Sequence, residues 1–231
     1  MGEDYAGERA ANNVSSAERA AGDGPADPMI TGLVLAAGRS ERMGTPKQLL
    51  PFGGVTLIEH VVRTMTRSRL GKDVVVVLGD RAMDIVKRIS GLPVRLAYNP
   101  DPEGDMVSSI RCGLAYIEPD QAIMIALGDQ PLVTTGIVNR LIDEYEGRPE
   151  GMVLPVHDGK RGHPMILSPA YREEILFESM PGGLKALRDR HSGSVRTVPV
   201  DTDAVLVDLD YRSDYEEALR RWKEDSESGE C

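Results

Sequence analysis

The segment LVLAAGRSERMGTPKQLLPFGG, residues 33–54, places small and basic residues directly after an apolar run. The run ends in residues of little side-chain bulk, Ala36, Ala37 and Gly38, followed by the cations Arg39, Arg42 and Lys47. Backbone N–H groups in such a turn can approach an anion closely. Arginine grips phosphate oxygens with paired hydrogen bonds, and lysine acts as a point charge. The segment therefore predicts a phosphate site on a solvated loop; the alternative is a βα turn with solvated basic residues.

Aspartates further along the chain predict a divalent cation beside that phosphate. Asp129 directly follows the apolar residues 122–127 and Gly128, which places its carboxylate at a strand end. Asp208 and Asp210 alternate with apolar residues and point the same way if their segment is a strand. Magnesium binds one or two carboxylates plus substrate phosphates, so we expect Mg²⁺, with Mn²⁺ as a substitute. The alternative role for Asp210 is to cap the helix that follows.

Polar side chains elsewhere extend the predicted site. Asn99 lies close in sequence to Ser108 and Ser109, which begin a helix where hydroxyls and free N–H groups can receive a base edge or a phosphate. Capping is the alternative for both serines. His163, within RGHP, is expected beside a hairpin where it can touch a second substrate, or else serves as a hydrogen-bonded structural histidine. No Cys or His pair has the spacing of a soft-metal site.

The elements that position these residues follow from the hydrophobic pattern. Short apolar runs predict strands buried on both faces of a mainly parallel sheet, at 31–37, 73–79, 93–98 and 122–128. Segments of helical period lie between and after them, at 56–68, 81–90, 106–117 and 134–146. The later chain predicts a hairpin within 151–167, two short helices, a strand pair at 194–200 and 204–210, and a final helix at 211–223. We therefore predict an α/β fold, doubly wound, with a mainly parallel or mixed sheet.

The charge distribution sets the domain limits and excludes some partners. Residues 1–28 hold six acids and two arginines, and residues 224–231 hold four acids and no base, so each end carries −4 of the total −10. We expect a disordered acidic tail at 1–28, one nearly neutral domain at 29–223 and an acidic C-terminal tail at 224–231. No long basic stripe indicates nucleic-acid binding, and no run of 18 apolar residues indicates a membrane span. Two distant cysteines and the lack of a signal-like apolar segment predict a soluble cytoplasmic protein.

Known phosphate motifs G-x-x-x-x-G-K-[ST] and G-x-G-x-x-G are absent, which argues against P-loop enzymes and dinucleotide-binding dehydrogenases. Instead, LAAGRSERMGTPKQLL closely resembles the signature of MobA-like NTP transferases of the molybdenum cofactor cytidylyltransferase type. NPDPEGDMVSSIRCGL (99–114), GDQPLVT (128–134) and RGHPMIL (161–167) resemble that family in the same order. The resemblance covers about residues 31–217. It implies a Rossmann-like fold of the nucleotide-diphospho-sugar transferase type.

The resemblance also implies roles for individual residues. Lys47 and Arg42 would hold a triphosphate, and Asp129, with Asp210 or Asp208, a magnesium ion. Nucleotide contacts would come from two of the four motifs, namely Leu35, Ala36, Ala37, Gly38, Arg39, Ser40, Asn99, Ser108, Ser109 and Gly113. The acceptor would meet Arg161, Gly162 and His163. The sequence departs from the family at EGDMVSS, which has one extra residue, and at DLDYRSD, which lacks a Thr-Pro pair.

The implied activity is transfer of a nucleotidyl group from CTP to molybdopterin, with pyrophosphate released and a molybdoenzyme or its chaperone as recipient of the product. L-A-A-G with P-K resembles the CTP-using branch, whereas the GTP-using branch more often has L-A-G-G with D-K. Three alternatives stay open: GTP as the donor, a sugar or alcohol phosphate as the acceptor, and an accessory protein that binds nucleotide or cofactor without turnover.

Overall fold

The computed structural model describes residues 29–38, 43, 46–80 and 82–228, with the side chains of 227 and 228 excepted. The predicted acidic segment 1–28 lies outside these residues, as do Arg39, Ser40, Arg42 and Cys231. The architecture given below is that of the described part of the chain.

Ten strands form one large mixed sheet and one small hairpin within the described residues. They are β1 (Ile30–Ala36), β2 (Pro51–Phe52), β3 (Val55–Thr56), β4 (Val74–Leu78), β5 (Arg95–Tyr98), β6 (Ala122–Leu127), β7 (Met152–His157), β8 (Lys160–Arg161), β9 (Met165–Leu167) and β10 (Val195–Pro199). The large sheet has the order β10-β7-β9-β6-β1-β4-β5, with β8 paired to the end of β7. Strands β2 and β3 form the separate hairpin.

The pairing directions explain why the sheet is mixed. Strand β1 is parallel to both β4 and β6, β4 is parallel to β5, and β7 is parallel to β10. Strand β9 runs antiparallel to β6 and β7 and joins the two parallel groups. The predicted mainly parallel or mixed α/β sheet is therefore confirmed, and the predicted hairpin at 151–167 is part of it.

Seven helices cover the two faces of the sheet in the residues described. They are α1 (Leu57–Arg67), α2 (Ala82–Ile89), α3 (Met106–Leu114), α4 (Thr135–Gly147), α5 (Arg172–Phe177), α6 (Gly183–Arg190) and α7 (Arg212–Ser228). Helices α1, α2, α4 and α7 pack on one face, and α3, α5 and α6 on the other. None of them combines the length and apolar character needed to cross a bilayer.

The sheet has a hydrophobic core on each face, and alternating side chains of the central strands pack into one core or the other. In β4, Val74 and Val76 enter the core under α1, whereas Val75 and Val77 enter the core under α3. Because both faces are covered, every position of β4 is apolar, as expected for a parallel strand buried on two sides. The same rule explains why β1 and β6 read as continuous apolar runs.

The structure differs from the predicted elements at several points; for example, α3 ends at Leu114 and not at residue 117. Residues 204–210 do not form a strand: Asp203–Leu206 is a turn of 3-10 helix, and the chain to Asp210 has no regular structure. The final helix continues to Ser228 instead of ending at residue 223, so part of the predicted acidic tail is helical. On the exposed side of its later turns, Arg220 forms i,i+3 and i,i+4 pairs with Glu217 and Glu224, which support the helix.

Candidate active site

The carboxyl ends of β1, β4 and β6 meet at one edge of the sheet because these strands are parallel. Gly79 and Gly128 follow β4 and β6 and flank the end of β1. A Cβ atom at Gly79 would lie 2.8 Å from the Ala37 carbonyl oxygen, and one at Gly128 would lie 2.8 Å from that of Leu35. Glycine at both positions lets the three strand ends approach closely. Gly128 also donates its N–H to Leu35 O at 2.9 Å.

A pocket of about 470 Å³ opens at this edge. Its walls combine main chain from the strand ends, a lysine and several carboxylates. The lining residues are Leu35, Ala37, Gly38, Lys47, Gln48, Gly104, Asp105, Met106, Ser109, Leu127, Gly128, Asp129, Asp208 and Asp210. The structure thus brings Gly38, Lys47 and Asp129, which are separated in sequence, into one pocket.

Lys47 is enclosed between two carboxylates. Its Nζ atom lies 2.6 Å from Asp129 Oδ2 and 3.4 Å from Asp210 Oδ1, and the residue is 8% exposed. It begins a short 3-10 turn, Lys47–Leu49, and the neighbouring Gln48 donates from Nε2 to Gly38 O at 2.7 Å. The prediction that Lys47 lies on a solvated loop is therefore wrong. Its ammonium group needs the aspartates because a buried charge without partners is costly.

Asp208 is held by a side chain that follows Asp129 in sequence. Gln130 donates from Nε2 to Asp208 Oδ1 at 2.8 Å and to Val205 O at 3.4 Å. Burial and the nearby carboxylate of Asp129 raise the pKa of Asp208, and Asp210 adds to the rise, while Gln130 and Lys47 oppose it. Although residues 207–210 are not a strand, both Asp208 and Asp210 line the pocket.

These carboxylates fit a divalent cation shared with a substrate. The raised pKa of Asp208 reflects negative charge gathered in a partly buried space, which a cation would offset. In the described part of the chain, no group of three His, Cys, Asp or Glu side chains is arranged as a complete protein site. Magnesium takes one or two carboxylates and leaves its other positions to phosphates and water, and the carboxylates of Asp129, Asp208 and Asp210 that line the pocket suit it.

The start of α3 forms the opposite wall. Asp105 caps the helix by accepting the Ser108 N–H at 2.8 Å, so the capping role belongs to Asp105 and not to the serines. Asn99 is 4% exposed and donates from Nδ2 to Ser108 Oγ at 2.9 Å and Ser109 Oγ at 3.0 Å. A Cβ at Gly104 would lie 2.4 Å from Ser108 Oγ and 2.8 Å from Asn99 Nδ2, so a larger residue would displace these hydrogen-bonded side chains. Ser109 lines the main pocket.

A second hollow of about 220 Å³ adjoins the first and shares Ala37, Gly38 and Gly104 with it. Its other walls are rich in acceptor oxygens and are formed by Gly79, Asp80, Asn99, Asp101, Pro102 and Glu103. Both hollows therefore contain carboxylates, but only the main pocket also contains a lysine among the residues described, and Ala37 and Gly38 lie between the two. An extended ligand with a phosphate part and a hydroxyl- or amino-bearing part matches this division.

The predicted acceptor residues lie outside the wall of the main pocket. Arg161 is exposed in β8, and Gly162 is buried so tightly that a Cβ would lie 2.1 Å from Val205 O. His163 is half-buried, and its backbone N–H donates to the same Val205 oxygen at 3.0 Å. Its Nε2 atom is shielded from solvent and has no hydrogen-bond partner among the described residues. Burial lowers the pKa of His163 to about 4; Asp129 opposes this shift and Arg188 adds to it.

Other predicted nucleotide contacts divide into three groups. Leu35, Ala37, Gly38 and Ser109 line the main pocket, and Asn99 the second hollow. Ala36 is a buried core residue, and Gly113 lies in α3 where that helix packs on the sheet, so a Cβ there would lie 2.3 Å from Leu33 Cδ1. Arg39, Ser40 and Arg42 lie outside the described residues.

Several site residues were not among those predicted from the sequence, although some of them have a recognisable signal. Gly79 and Gly128 each end a strand run in the letters LG, which is a readable signal for a tight strand end. Gln130 also had a signal, since it directly follows Asp129 in GDQP. Gln48 gives none, because its bond to Gly38 O joins residues 10 positions apart and leaves no local pattern.

Comparison with known families and proteins gives a consistent result. The model of the MobA-like NTP transferase domain matches residues 32–195. Nicotine blue oxidoreductase of Paenarthrobacter nicotinovorans is 35% identical over 154 residues, 64% of this chain and 75% of that protein. Molybdenum cofactor cytidylyltransferase of Escherichia coli K12 is 24% identical over 194 residues, 83% of this chain and 96% of that protein.

Solved structures of similar proteins share the fold. Rv0371c of Mycobacterium tuberculosis H37Rv is 30% identical, with a TM-score of 0.72, and the match covers 83% of this chain and 97% of that one. A complex of Rv0371c with manganese matches with 28% identity, a TM-score of 0.68 and coverage of 84% and 99%. A relative of this chain has therefore been crystallised in complex with manganese.

Proposed function

Because this chain belongs to the MobA-like NTP transferase family, whose members are nucleotidyltransferases, we propose that it is a CTP:molybdopterin cytidylyltransferase. It would transfer CMP from CTP to the phosphate of molybdopterin and release pyrophosphate. The observation that carries the proposal is the convergence of Gly38, Lys47 and Asp129 upon one pocket at the strand ends. The similarity to the Escherichia coli cytidylyltransferase over most of both chains supports the choice of reaction.

In this mechanism an oxygen of the acceptor phosphate attacks the α-phosphorus of CTP, and the bond to the pyrophosphate oxygen breaks. The main chain around Gly38 positions the triphosphate, and Lys47 and Arg42 offset the charge that develops on its oxygens. No side-chain nucleophile takes part. The second hollow, with Asn99 and its carboxylates, offers acceptors for the ribose hydroxyls and the base amino group.

Asp129, with Asp210 or Asp208, would hold the divalent cation. When bound, Mg²⁺ or Mn²⁺ would lower the repulsion between donor and acceptor phosphates. Gln130 fixes the Asp208 carboxylate through its 2.8 Å hydrogen bond, so this oxygen is held in place before any ligand arrives. The lowered pKa of His163 keeps its imidazole neutral at pH 7, and Arg161, Gly162 and His163 are proposed to meet the acceptor.

The test is pyrophosphate release from CTP, GTP, ATP and UTP with Mg²⁺ and molybdopterin. We expect release with CTP at a kcat/KM at least about tenfold above that with GTP, a difference that one set of base contacts can supply. Release with GTP alone would replace the donor, and release only with a sugar or alcohol phosphate would replace the acceptor. Nucleotide binding without release would support an accessory role that delivers cofactor to a molybdoenzyme.

A second candidate function is oxidoreduction, because a relative named nicotine blue oxidoreductase is 35% identical to this chain. The two candidates separate in a single comparison. Consumption of NADH or NADPH with nicotine blue, in the absence of any nucleoside triphosphate, would favour the oxidoreductase. Pyrophosphate release without reductant would favour the transferase.

A further inference from the structure

Lys47 contacts the same carboxylates that are proposed to hold the divalent cation. Its Nζ atom lies 2.6 Å from Asp129 Oδ2 and 3.4 Å from Asp210 Oδ1. The lysine side chain is 11% exposed, and that of Asp129 is 22% exposed, so solvent screens the closer pair only weakly. In this arrangement the ammonium group offsets part of the negative charge that would attract a metal ion, and it occupies oxygens of Asp129 and Asp210.

An ammonium group and a divalent cation repel each other and compete for the same oxygens. Lysine also has a long flexible stem, so its charge can move while its backbone stays in place. The backbone here is held by the short Lys47–Leu49 turn and by the bond from Gln48 to Gly38 O. Gly38 belongs to the proposed phosphate loop, so the backbone of Lys47 is held beside the place where a triphosphate would lie.

We propose that Lys47 makes the metal site of this protein conditional on nucleotide. Without nucleotide, Lys47 occupies Asp129 and Asp210 and keeps their affinity for a divalent cation low. With nucleotide bound, the triphosphate draws the ammonium group away, and both carboxylates become available to the metal. Lys47 is thus a positioning residue for the metal as well as a phosphate contact. The role given to nucleotide in this inference rests on the proposed function, whereas the competition between Lys47 and the metal does not.

Thermodynamic linkage gives this arrangement a measurable consequence. If nucleotide raises the affinity for metal, metal must raise the affinity for nucleotide by the same factor. Because Lys47 competes with the metal but contacts the triphosphate, removing its charge should raise the affinity for metal and lower the affinity for nucleotide. A residue that merely supported the fold would weaken both, so the sign of the metal effect distinguishes the two roles.

The test is a titration of the full chain with Mn²⁺ alone, with free Mn²⁺ followed by electron paramagnetic resonance. We expect Lys47→Gln to bind Mn²⁺ at least about tenfold more tightly than the wild type, and CTP more weakly. Lys185→Gln, on the exposed side of α6, removes the same charge away from the pocket and should match the wild type. Adding Asp129→Asn to Lys47→Gln should abolish the increase in Mn²⁺ affinity, because the ion is expected to bind at Asp129.

Equal or weaker Mn²⁺ binding by Lys47→Gln would overturn the inference. If that variant fails to fold, the wild type decides the matter: CTP should raise its Mn²⁺ affinity at least about tenfold, after correction for the Mn²⁺–CTP complex in solution. No such increase despite CTP binding would also overturn it. Failure of the wild type to bind any nucleoside triphosphate would count against the proposed function, whereas the comparison with Mn²⁺ alone would still test the competition.

Discussion

The Asp129 carboxylate lies 2.6 Å from Lys47 Nζ, and it is proposed to be a metal ligand as well. Asp129→Asn keeps the shape and an acceptor oxygen for the lysine, so we expect the free energy of unfolding to fall by no more than about 2 kcal/mol. Loss of the negative charge should lower kcat at least about 100-fold in the pyrophosphate assay.

Asp143→Asn, on the exposed part of α4, is the control for loss of one acidic charge and should retain wild-type turnover. If Asp129→Asn turns over at the wild-type rate, Asp129 does not act in the reaction.

His163 gives the stability of the protein a dependence on pH. Burial lowers its pKa from 6.5 to about 4, so the folded state binds fewer protons than the unfolded state between these values. The contribution of neutral His163 to the free energy of unfolding is complete above pH 6.5 and is lost as the pH falls toward 4. By pH 4.5 the loss should be about 2–3 kcal/mol, whereas His163→Asn lacks this term.

Urea unfolding at pH 7 and pH 4.5 measures the effect. We expect the wild type to lose about 2–3 kcal/mol more than His163→Asn across this interval. Equal losses in the two proteins would show that the imidazole titrates alike in the folded and unfolded states.

At the scale of elements, α3 lies close to the sheet because Gly113 has no side chain. A Cβ there would lie 2.3 Å from Leu33 Cδ1 and 3.0 Å from Val77 Cγ2. We expect Gly113→Ala to destabilise the protein by about 1–3 kcal/mol through overpacking, although alanine favours helices. The KM for nucleotide should stay unchanged, because Gly113 lies outside both hollows.

Gly136→Ala in α4 is the matched control for Gly113→Ala. Its Cβ would meet only Thr134 Oγ1, at 3.7 Å, so the change should be neutral or stabilising by up to about 1 kcal/mol. Both variants are compared by urea unfolding and by nucleotide kinetics. A raised KM with unchanged stability in Gly113→Ala would return this residue to the nucleotide site.

The βα units could be predicted from the sequence because local patterns determine them. The strands 74–78 and 122–127 are continuously apolar, and the intervening helices have one apolar face. Residues 204–210 also alternate like a strand, but long-range contacts override that pattern. Leu209 donates its N–H to Asp129 O, and the Asp208 carboxylate binds Gln130. Such contacts join residues about 80 positions apart and leave no local trace.

The candidate site follows the same division. Gly38 and Asp129 stand next to strand runs, so their place at the sheet edge is readable from the sequence. The burial of Lys47 is not, because its enclosure depends on Asp210 from the far end of the domain. A basic segment read in isolation predicts exposed charge, and only the tertiary structure supplies the acidic partners.

At the scale of the whole molecule, α7 closes one face of the domain. Trp222, the single tryptophan of the chain, packs with Phe52 and His60 at ring distances of 5.8 and 6.2 Å. Tyr215 donates from its hydroxyl to Pro51 O at 2.6 Å. The C-terminal helix thereby covers the β2–β3 hairpin, which directly follows the turn that carries Lys47.

We expect Trp222→Ala to lower the free energy of unfolding by about 2–4 kcal/mol, because it removes a partly buried aromatic side chain from this cluster. Lys223→Ala, at the exposed neighbouring position, should change stability by less than about 0.5 kcal/mol. Circular dichroism during urea unfolding measures both. Equal stability of the two variants would mean that the end of α7 contributes little to the fold.

The position of the antiparallel strand β9 late in the sequence affects when the pocket can assemble during translation. It inserts between β6 and β7, and Asp208 and Asp210 come later still, so a ribosome has made nine-tenths of the chain before the last pocket carboxylates exist. Partly synthesised chains can present the glycine loop but not the assembled centre. Under the proposed function, a polypeptide that ends before Asp208 would lack two of the proposed metal ligands, so the proposed transfer would require synthesis of this late segment.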